Sequence, residues 1–546
     1  MVQKDNKSWL VMLTQSYILI GLLIFGLIYA ASPSGFMLSV DTSFQLMCQL
    51  FLGLVIWSFV SWYLTTKRLF DPYVLFLLSS IIFNGGQIIL EVFHLNELGF
   101  LGNTFSVADA LQIVYIVTLS IATMHFGALL CVVLDRQKSQ SSKFLEFLNR
   151  GAATDPYTRL GLDPSNQPSG LLSSSLTGIR SSSLPPKIAA PFRSSIVPAR
   201  TALMVGQILL YLSIIPVMVV AIGAIQVARS GGYASLYEQQ AVTGAAASVQ
   251  IIADFMFPGV FLTIAAAQRK PHLRVFAVLC ILLYTCAKLT IGTRGAAVMP
   301  LLAMLWLWDG VVRPIPRALL AGVSALMLLV VFPLVGATRN EVAGVDVFSI
   351  DFITKTLTGV DNPLVASISE MGFSATTIGW TIDLVPKVRP FAAGMTYLVG
   401  MLVLIPNVFS AGRHPALTMS GYDIPDFWLV GELDREFAQR GGSFGFSFIS
   451  EAYLNFGWFG IIVLGLLGFG FAKLVQWALR ERDPIKMAII AIFVSFFLFY
   501  PRGSSEMVFR PFVWYSLFPY LWMRWLSKLN AIRIKGLLNA LRKGDK

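Results

Sequence analysis

The chain has 546 residues, of which 56% are hydrophobic and 13% charged, with a mean hydropathy of +0.71 and a net charge of +12. This composition excludes a soluble globular enzyme, because apolar runs repeatedly reach the length that spans a bilayer. The sequence therefore predicts an all-α, polytopic integral membrane protein in a lipid bilayer, with no nucleic-acid partner.

Twelve transmembrane spans are predicted, with a large outer loop before the last three. The first run follows Lys4 and Lys7. It is longer than the ~15 apolar residues of a signal peptide, so we expect an uncleaved signal anchor. The spans lie near residues 9–31, 45–64, 73–93, 109–134, 201–228, 251–268, 275–292, 295–312, 318–336, 447–472, 486–500 and 509–526.

Lysines and arginines in the short loops place both termini in the cytoplasm. The apolar run 394–409 would move the basic cluster at 480–483 outside if it crossed the membrane, so we expect it to be re-entrant or interfacial. The predicted parts are an N-terminal four-helix part (1–136), a disordered Ser-rich cytoplasmic loop (137–200), central helices (201–336), a periplasmic loop region (337–446), C-terminal helices (447–528) and a basic cytoplasmic tail (529–546).

Two charged segments border the last membrane hairpin on its outer side. The first, within residues 431–470, carries Arg435, Arg440 and Glu451 into the start of a span, and the second is PRGSSEMVFR at 501–510. Charge at a membrane boundary is costly unless it is used. The two segments together predict a site for a phosphate-bearing substrate.

Arginine outnumbers lysine among the basic residues that the predicted topology places on the outer side. Guanidinium grips phosphate oxygens with two parallel hydrogen bonds, so an excess of arginine on the outer side indicates an anionic headgroup or substrate. The outer set has three lysines (288, 355, 387) and nine arginines (229, 294, 339, 389, 413, 435, 440, 502, 510).

Arg502 follows a span of residues 487–500, roughly 21 Å long against an apolar core of about 30 Å, so it is expected below the lipid surface in a water-filled cavity. Arg502, Glu506 and Arg510 would share one helical face if the last helix began that early. A structural salt bridge is the alternative. Arg294 lies in an outer turn, IGTRG, close after Lys288, and we favour a functional role for it.

The proton acceptor is less well defined. Glu451 is a candidate general base, or else it neutralises Arg435 or Arg440. His414 is the only histidine in the outer loop after the ninth span, and a lone histidine is more often structural. The remaining histidines and the four cysteines have no metal-ligand spacing, so we expect no metal and no disulfide. No nucleotide-binding fingerprint occurs, and we expect no cofactor.

Several short motifs resemble one family: the GTRG turn, SEAYLNFGWFG at 450–460, and the Arg-Gly turn between the last two helices. Over roughly residues 200–526 the chain is similar to the bacterial Wzy-type O-antigen polymerases, which are related to the O-antigen ligases. The resemblance implies a membrane glycosyltransferase of the bacterial inner membrane. It would polymerise undecaprenyl-diphosphate-linked oligosaccharide repeat units at the periplasmic face, without a nucleotide sugar.

The resemblance also implies roles for residues and partners. Donor and acceptor diphosphates would be held by six arginines, and Glu451 or His414 would take the acceptor proton. A chain-length regulator and a flippase would be partners. Alternatives are an O-antigen ligase, a peptidoglycan-type polymerase, and a flippase or transporter, although the internal repeats typical of transporters are not seen. The six arginines are Arg294, Arg339, Arg435, Arg440, Arg502 and Arg510.

Overall fold

A computed structural model describes residues 5–31, 39–96, 99, 101–152, 197–233, 235–238, 245–340, 349, 354, 362–407 and 414–544. These residues form helices and turns, and none of them forms a β-strand, which confirms the all-α prediction. Most of the predicted Ser-rich loop, residues 153–196, lies outside the described part of the chain, as do parts of the predicted outer loop region.

The described helices fall into two halves. The first half contains α1 (Asp5–Ala31), α2 (Val40–Thr66), α3 (Pro72–Val92), α4 (Leu101–Thr104), α5 (Val107–Ala152), α6 (Ala199–Gly231), α7 (Ser235–Glu238), α8 (Ala245–Asp254), α9 (Met256–Ala266), α10 (Pro271–Thr290), α11 (Arg294–Val311), α12 (Arg317–Leu326) and α13 (Phe332–Asn340). The second half contains α14 (Pro363–Met371), α15 (Ser374–Leu384), α16 (Met395–Leu402), α17 (Pro415–Ser420), α18 (Pro425–Leu433), α19 (Arg435–Gln439), α20 (Phe448–Phe456), α21 (Gly460–Arg480), α22 (Pro484–Phe497), α23 (Glu506–Arg510) and α24 (Phe518–Gly544).

Ten helical segments in the described residues are long and apolar enough to cross a membrane. They coincide with ten of the twelve predicted spans. The remaining two predicted spans, 295–312 and 509–526, are helical as well. The first of them carries a charged residue near each end, and the second contains a π-helical turn at Pro511–Leu517.

Local capping explains where several helices begin. Asp71 accepts a hydrogen bond from the Val74 backbone N–H at 3.0 Å, and Asp483 accepts one from Ile485 at 2.9 Å. In both cases a proline follows at the first helical position, where its missing N–H costs nothing. Helices α3 and α22 therefore begin directly after the short loops that follow α2 and α21.

The glycines of α21 let it pack closely against α5. A Cβ atom at Gly468 would overlap the Met124 carbonyl, and one at Gly127 would overlap the Gly465 carbonyl. Backbones approach to this distance only where the side chain is a hydrogen atom. These glycines therefore serve close helix packing.

Helix α22 lies at the centre of the C-terminal helices and is almost wholly buried. The Phe497 ring packs 4.4 Å from Phe76 of α3 and 4.5 Å from Phe471 of α21, measured between ring centroids. Aromatic contacts of this kind bury large apolar areas. They fix the C-terminal end of α22, and with it the turn that follows, against its neighbours.

Helix α16 occupies the apolar run that was predicted to be re-entrant or interfacial. It has eight residues, or about 12 Å at the helical rise, which is far less than an apolar core of about 30 Å. It lies against α20 and α23. It therefore covers the ends of these helices and does not cross the membrane.

Candidate active site at the outer end of the last hairpin

The two charged segments meet in the structure. The Phe446 backbone N–H donates to the Arg502 carbonyl at 3.4 Å, and the Ser505 backbone N–H donates to a Glu451 carboxylate oxygen at 2.7 Å. The turn after α22 therefore wraps around the N-terminal end of α20. Two segments that are about fifty residues apart in sequence form one surface.

Asn84 of α3 joins the same two segments from the other side. Its amide donates to the Pro501 carbonyl at 3.0 Å, and its amide oxygen accepts from the Ser447 hydroxyl at 2.6 Å. Asn84 and Ser447 are fully buried. Since buried polar groups need partners, this bridge holds the turn in one position.

Glu451 is fully buried and its carboxylate accepts three hydrogen bonds. One oxygen accepts from the Thr396 hydroxyl at 3.0 Å and the Ser505 hydroxyl at 2.7 Å, and the other accepts from the Ser505 backbone. The alternative that Glu451 neutralises Arg435 or Arg440 is wrong. Arg435 is exposed, and Arg440 pairs with Glu436 at 3.1 Å because the two lie one helical turn apart.

A small cleft, too narrow to hold a water molecule, lies between α16, α18 and the turn before α23. Within the described part of the chain, no hydrogen bond or salt bridge ends on the Glu506 carboxylate at its wall. The pKa of Glu506 is raised to about 8, and burial of the carboxyl group is the largest cause. The nearby negative charge of Asp426 also raises this pKa, whereas the positive charge of Arg510 lowers it. The lining residues are Thr396, Val399, Gly400, Ile424, Pro425, Ser504, Ser505 and Glu506.

Unpaired polar atoms are concentrated around this cleft. Nine buried side-chain polar atoms of the described residues have no hydrogen-bond partner, and four of them belong to residues at or next to the cleft. Burial also raises the pKa of Asp426, which contributes one of these atoms. Native proteins pair nearly all buried polar atoms, so this part of the chain is less fully satisfied than the rest of the described residues. The four atoms are Tyr397 Oη, Asp426 Oδ1, Ser504 Oγ and Arg510 Nε.

Two of the predicted arginines come together at Glu370 of α14. Arg294 is buried, forms a salt bridge with the Glu370 carboxylate and donates to the Phe332 carbonyl at 3.1 Å. Arg502 donates to the Glu370 backbone carbonyl at 3.5 Å, and its guanidinium lies 5.9 Å from the centre of the Phe83 ring. Glu370 therefore holds both guanidinium groups near the turn after α22.

Arg510 lies one turn beyond Glu506 and donates to the Val403 carbonyl at 2.7 Å, at the end of α16. Its charge acts on Glu506 and on Asp254. The helix α23 begins at Glu506, so Arg502 precedes it and does not share its face as the predicted four-residue spacing required. Gly503, Ser504 and Ser505 separate Arg502 from the first residue of α23.

The other predicted site residues lie elsewhere. Arg435 and Arg440 are exposed on the short helix α19 and its end. Arg339 lies in the last turn of α13, and its side chain is outside the described part. His414 caps α17: its Nδ1 accepts from the Ala416 backbone at 3.1 Å and its Nε2 donates to the Ile405 carbonyl at 2.7 Å. Both ring nitrogens of His414 therefore serve the backbone.

Sequence reasoning missed three contributors to this site. Glu370 was not considered, and Asp426 was not distinguished from other loop carboxylates, because neither stands in a motif. Glu506 was treated only as a partner for Arg502. A weak indication existed for Glu506, since it is a carboxylate directly after the Arg-Gly turn. Among the described residues, no group of three potential metal ligands comes together.

The fold and site define a polytopic membrane protein with a buried polar site at one end of its last helical hairpin. A family model described as O-antigen polysaccharide polymerase Wzy matches residues 194–531. The chain belongs to this family, and it is an O-antigen polymerase that acts in polysaccharide biosynthesis within a membrane. No curated protein and no solved structure matches the chain.

Proposed function

We propose that the chain transfers a growing glycan from undecaprenyl diphosphate to a terminal hydroxyl of a second lipid-linked repeat unit. The observation that carries this proposal is the junction of the turn after α22 with the start of α20, where the turn that carries Arg502 binds the buried carboxylate of Glu451. Such a transfer needs cations for a diphosphate leaving group and a carboxylate for a hydroxyl proton. The junction offers both.

Arg502 and Arg294 hold the donor diphosphate in this proposal. Charge develops on the diphosphate as its bond to the sugar breaks, and cations fixed beforehand by Glu370 stabilise that charge without reorganising. Arg510 faces the same turn from α23. Arg435, Arg440 and Arg339 are proposed to attract the second diphosphate as it approaches, because a cationic surface steers anions over several ångströms.

Glu451 is proposed to position the turn and not to take the proton itself. Its carboxylate is fully buried and already accepts hydrogen bonds from Ser505 and Thr396. It fixes the residues that follow Arg502, and it is separated from the cleft by Ser505. His414 is proposed to be structural, since both of its nitrogens bind the backbone.

We place the site on the periplasmic side of the inner membrane. At the opposite end of α21, Arg480 pairs with Asp135 at 2.6 Å, and the charges of Arg68 and Arg482 are close enough to interact. Lysine and arginine concentrate on the cytoplasmic side of membrane proteins. The end that carries Glu451 and Arg502 then faces the periplasm.

Thiol labelling in spheroplasts tests this orientation. In a background with Cys286→Ala, which removes the exposed native cysteine, Met419→Cys should react with an impermeant reagent because residue 419 is exposed at the proposed outer side. Arg313→Cys, in an exposed loop at the other side, should react only after permeabilisation. Labelling of the residue 313 variant alone would invert the orientation.

The donor is tested with purified protein and a synthetic undecaprenyl-diphosphate repeat unit. We expect a ladder of lengthened glycans without added nucleotide sugar, because cleavage of the bond between the sugar and the diphosphate supplies the free energy. Recovery of unaltered substrate, while the same protein extends chains from a nucleotide sugar, would contradict the proposal.

A further inference from the structure

We propose that helix α3, which lies outside the matched residues 194–531, positions the arginines of the site, and that Asn84 and Gln87 are its positioning residues. This inference rests on the proposed function, in which Arg294 and Arg502 hold the donor diphosphate. Neither amide needs to touch the substrate, because both act through the elements that carry or hold those arginines.

Gln87 fixes helix α14. Its side chain is fully buried, and its amide nitrogen donates to the Ser369 backbone carbonyl at 3.1 Å. Its amide oxygen accepts from the backbone N–H of Leu101, the first residue of α4, also at 3.1 Å. Ser369 immediately precedes Glu370, the residue that holds both guanidinium groups. The backbone that carries Glu370 is therefore bound to α3.

The backbones of α3 and α14 also approach each other closely. A Cβ atom at Gly86 would lie 3.0 Å from the Ile368 carbonyl oxygen, and one at Gly372 would lie 2.7 Å from the Gln87 backbone nitrogen. Helices come this close only where glycine leaves room for the neighbouring backbone. The place of α14 is thus set by backbone contact with α3 as well as by the Gln87 amide.

Asn84 fixes the turn that carries Arg502. It donates to the carbonyl of Pro501, the residue directly before Arg502, and it accepts from the Ser447 hydroxyl. Asn84 and Gln87 are three positions apart and therefore share one face of α3. A single helical face holds both the turn after α22 and the helix that carries the partner of its arginine.

Two further residues of α3 support the same turn. The Phe83 ring lies 5.7 Å from the Phe499 ring and 5.9 Å from the Arg502 guanidinium. The Ser79 hydroxyl donates to the Leu498 backbone carbonyl. Arg502 is therefore bordered by α3 as well as by α14, and the residues that lead into its turn are bound to α3.

The contact extends to the other arginine. A Cβ atom at Gly295 would lie 2.5 Å from the Phe499 ring, so the backbone next to Arg294 packs directly on that ring. Phe499 in turn contacts Phe83. Both arginines therefore belong to elements that are connected to α3 through short, buried contacts.

Positioning of this kind affects the rate of transfer. Cations stabilise the charge that develops on a leaving diphosphate most effectively when they are fixed before the reaction. A displacement of about 1 Å can slow a reaction by roughly 100-fold. An amide is suited to prevent such a displacement, because its hydrogen bonds define both a distance and a direction.

Kinetics of the full-length protein test the inference. Gln87→Leu and Asn84→Leu remove the hydrogen bonds at similar side-chain size. Each should lower kcat for ladder formation by roughly 10- to 100-fold and change the KM for the lipid-linked repeat unit much less, because the cations are misplaced mainly for the transition state. Ser80→Ala is the control: Ser80 is buried on α3, but its hydroxyl donates to Phe76 of the same helix. It should behave as wild type.

A double-mutant cycle separates positioning from general stability. If Gln87 acts through Glu370, the kcat of Gln87→Leu combined with Glu370→Gln should be close to that of the slower single variant. Independent structural roles would instead multiply the two losses. Melting temperatures in detergent show that each variant is folded. Should Gln87→Leu fail to fold, Gln87→Asn withdraws the amide by one carbon and is subject to the same prediction.

The outcomes distinguish this inference from the function beneath it. Wild-type kcat in folded Gln87→Leu and Asn84→Leu proteins would overturn the role of α3, and so would losses that multiply in the cycle. In either case the ladder from wild-type protein would still support the polymerase mechanism. No ladder from wild-type protein would overturn the proposed function itself.

Discussion

The two ends of α22 carry charge in opposite ways. At the N-terminal end, Lys486 pairs with Glu481 and lies 5.0 Å from the Trp477 ring, and Arg480 pairs with Asp135. Beyond the C-terminal end, the Glu506 carboxylate has no hydrogen bond or salt bridge among the described residues. The charged groups at the first end form salt bridges with one another, whereas Glu506 forms none among the described residues.

The difference shows how to separate structural charge from functional charge in a membrane protein. Ion pairs that satisfy one another anchor a helix end and need no ligand. Near the acidic groups at the other end, polar atoms of Ser504 and Asp426 have no hydrogen-bond partner among the described residues. These atoms remain able to bind a ligand. The site is therefore recognised by which polar groups lack partners, and only secondarily by which residues are charged.

The largest effect is expected at Glu451. Replacing Glu451 by alanine leaves the Ser505 N–H and the Thr396 hydroxyl buried without their acceptor. Each such group costs about 1–3 kcal/mol, so the melting temperature in detergent should fall clearly and activity should be lost with it. Glu506→Gln is the matched control and should unfold as wild type does. An unchanged melting temperature for Glu451→Ala would show that the turn is held by other contacts.

Arg502 tests whether the cationic side works by charge or by shape. Lysine keeps the charge but loses the planar fork, so Arg502→Lys should slow polymerisation, and Arg502→Ala should slow it further. Loss of a charge-assisted pair costs about 1.5–3 kcal/mol, or roughly ten- to a hundredfold in rate. Ladder formation by the two variants, at equal melting temperatures, measures this. A fully active, well-folded Arg502→Ala protein would remove Arg502 from the site.

The smallest effect is expected at the N-terminal end of α22. Arg480→Ala breaks the salt bridge with Asp135. In this salt bridge the Arg480 side chain is 51% exposed and the Asp135 side chain is 22% exposed. Pairs of this exposure contribute about 0–1 kcal/mol, so the melting temperature should change little and the ladder should be unchanged. A large loss of polymerisation in Arg480→Ala would remove the distinction between the two ends.

The sequence predicted those parts of the fold that depend on local information. Span positions follow from uninterrupted apolar length, and the starts of α3 and α22 follow from Asp-Pro pairs. The two charged segments could be placed on one side because an even number of crossings separates them. The short helix α16 was expected not to cross because of the basic cluster that follows it.

Pairing across the site could not be predicted in this way. Glu451 was given Arg435 or Arg440 as partners because they are close in sequence, yet its partners come from Thr396 and Ser505. Sequence separation carries no information about which loops fold over a helix end. The prediction that Arg502 and Glu506 share a helical face was also wrong, because helical periodicity applies only after the helix has begun.

The most direct measurement is a cryo-EM structure of the protein with a non-cleavable diphosphonate analogue of the lipid-linked repeat unit. The account predicts phosphonate oxygens about 3 Å from the Arg502 guanidinium. A diphosphonate bound at the opposite end of α22 beside Arg480, with none beside Arg502, would contradict it.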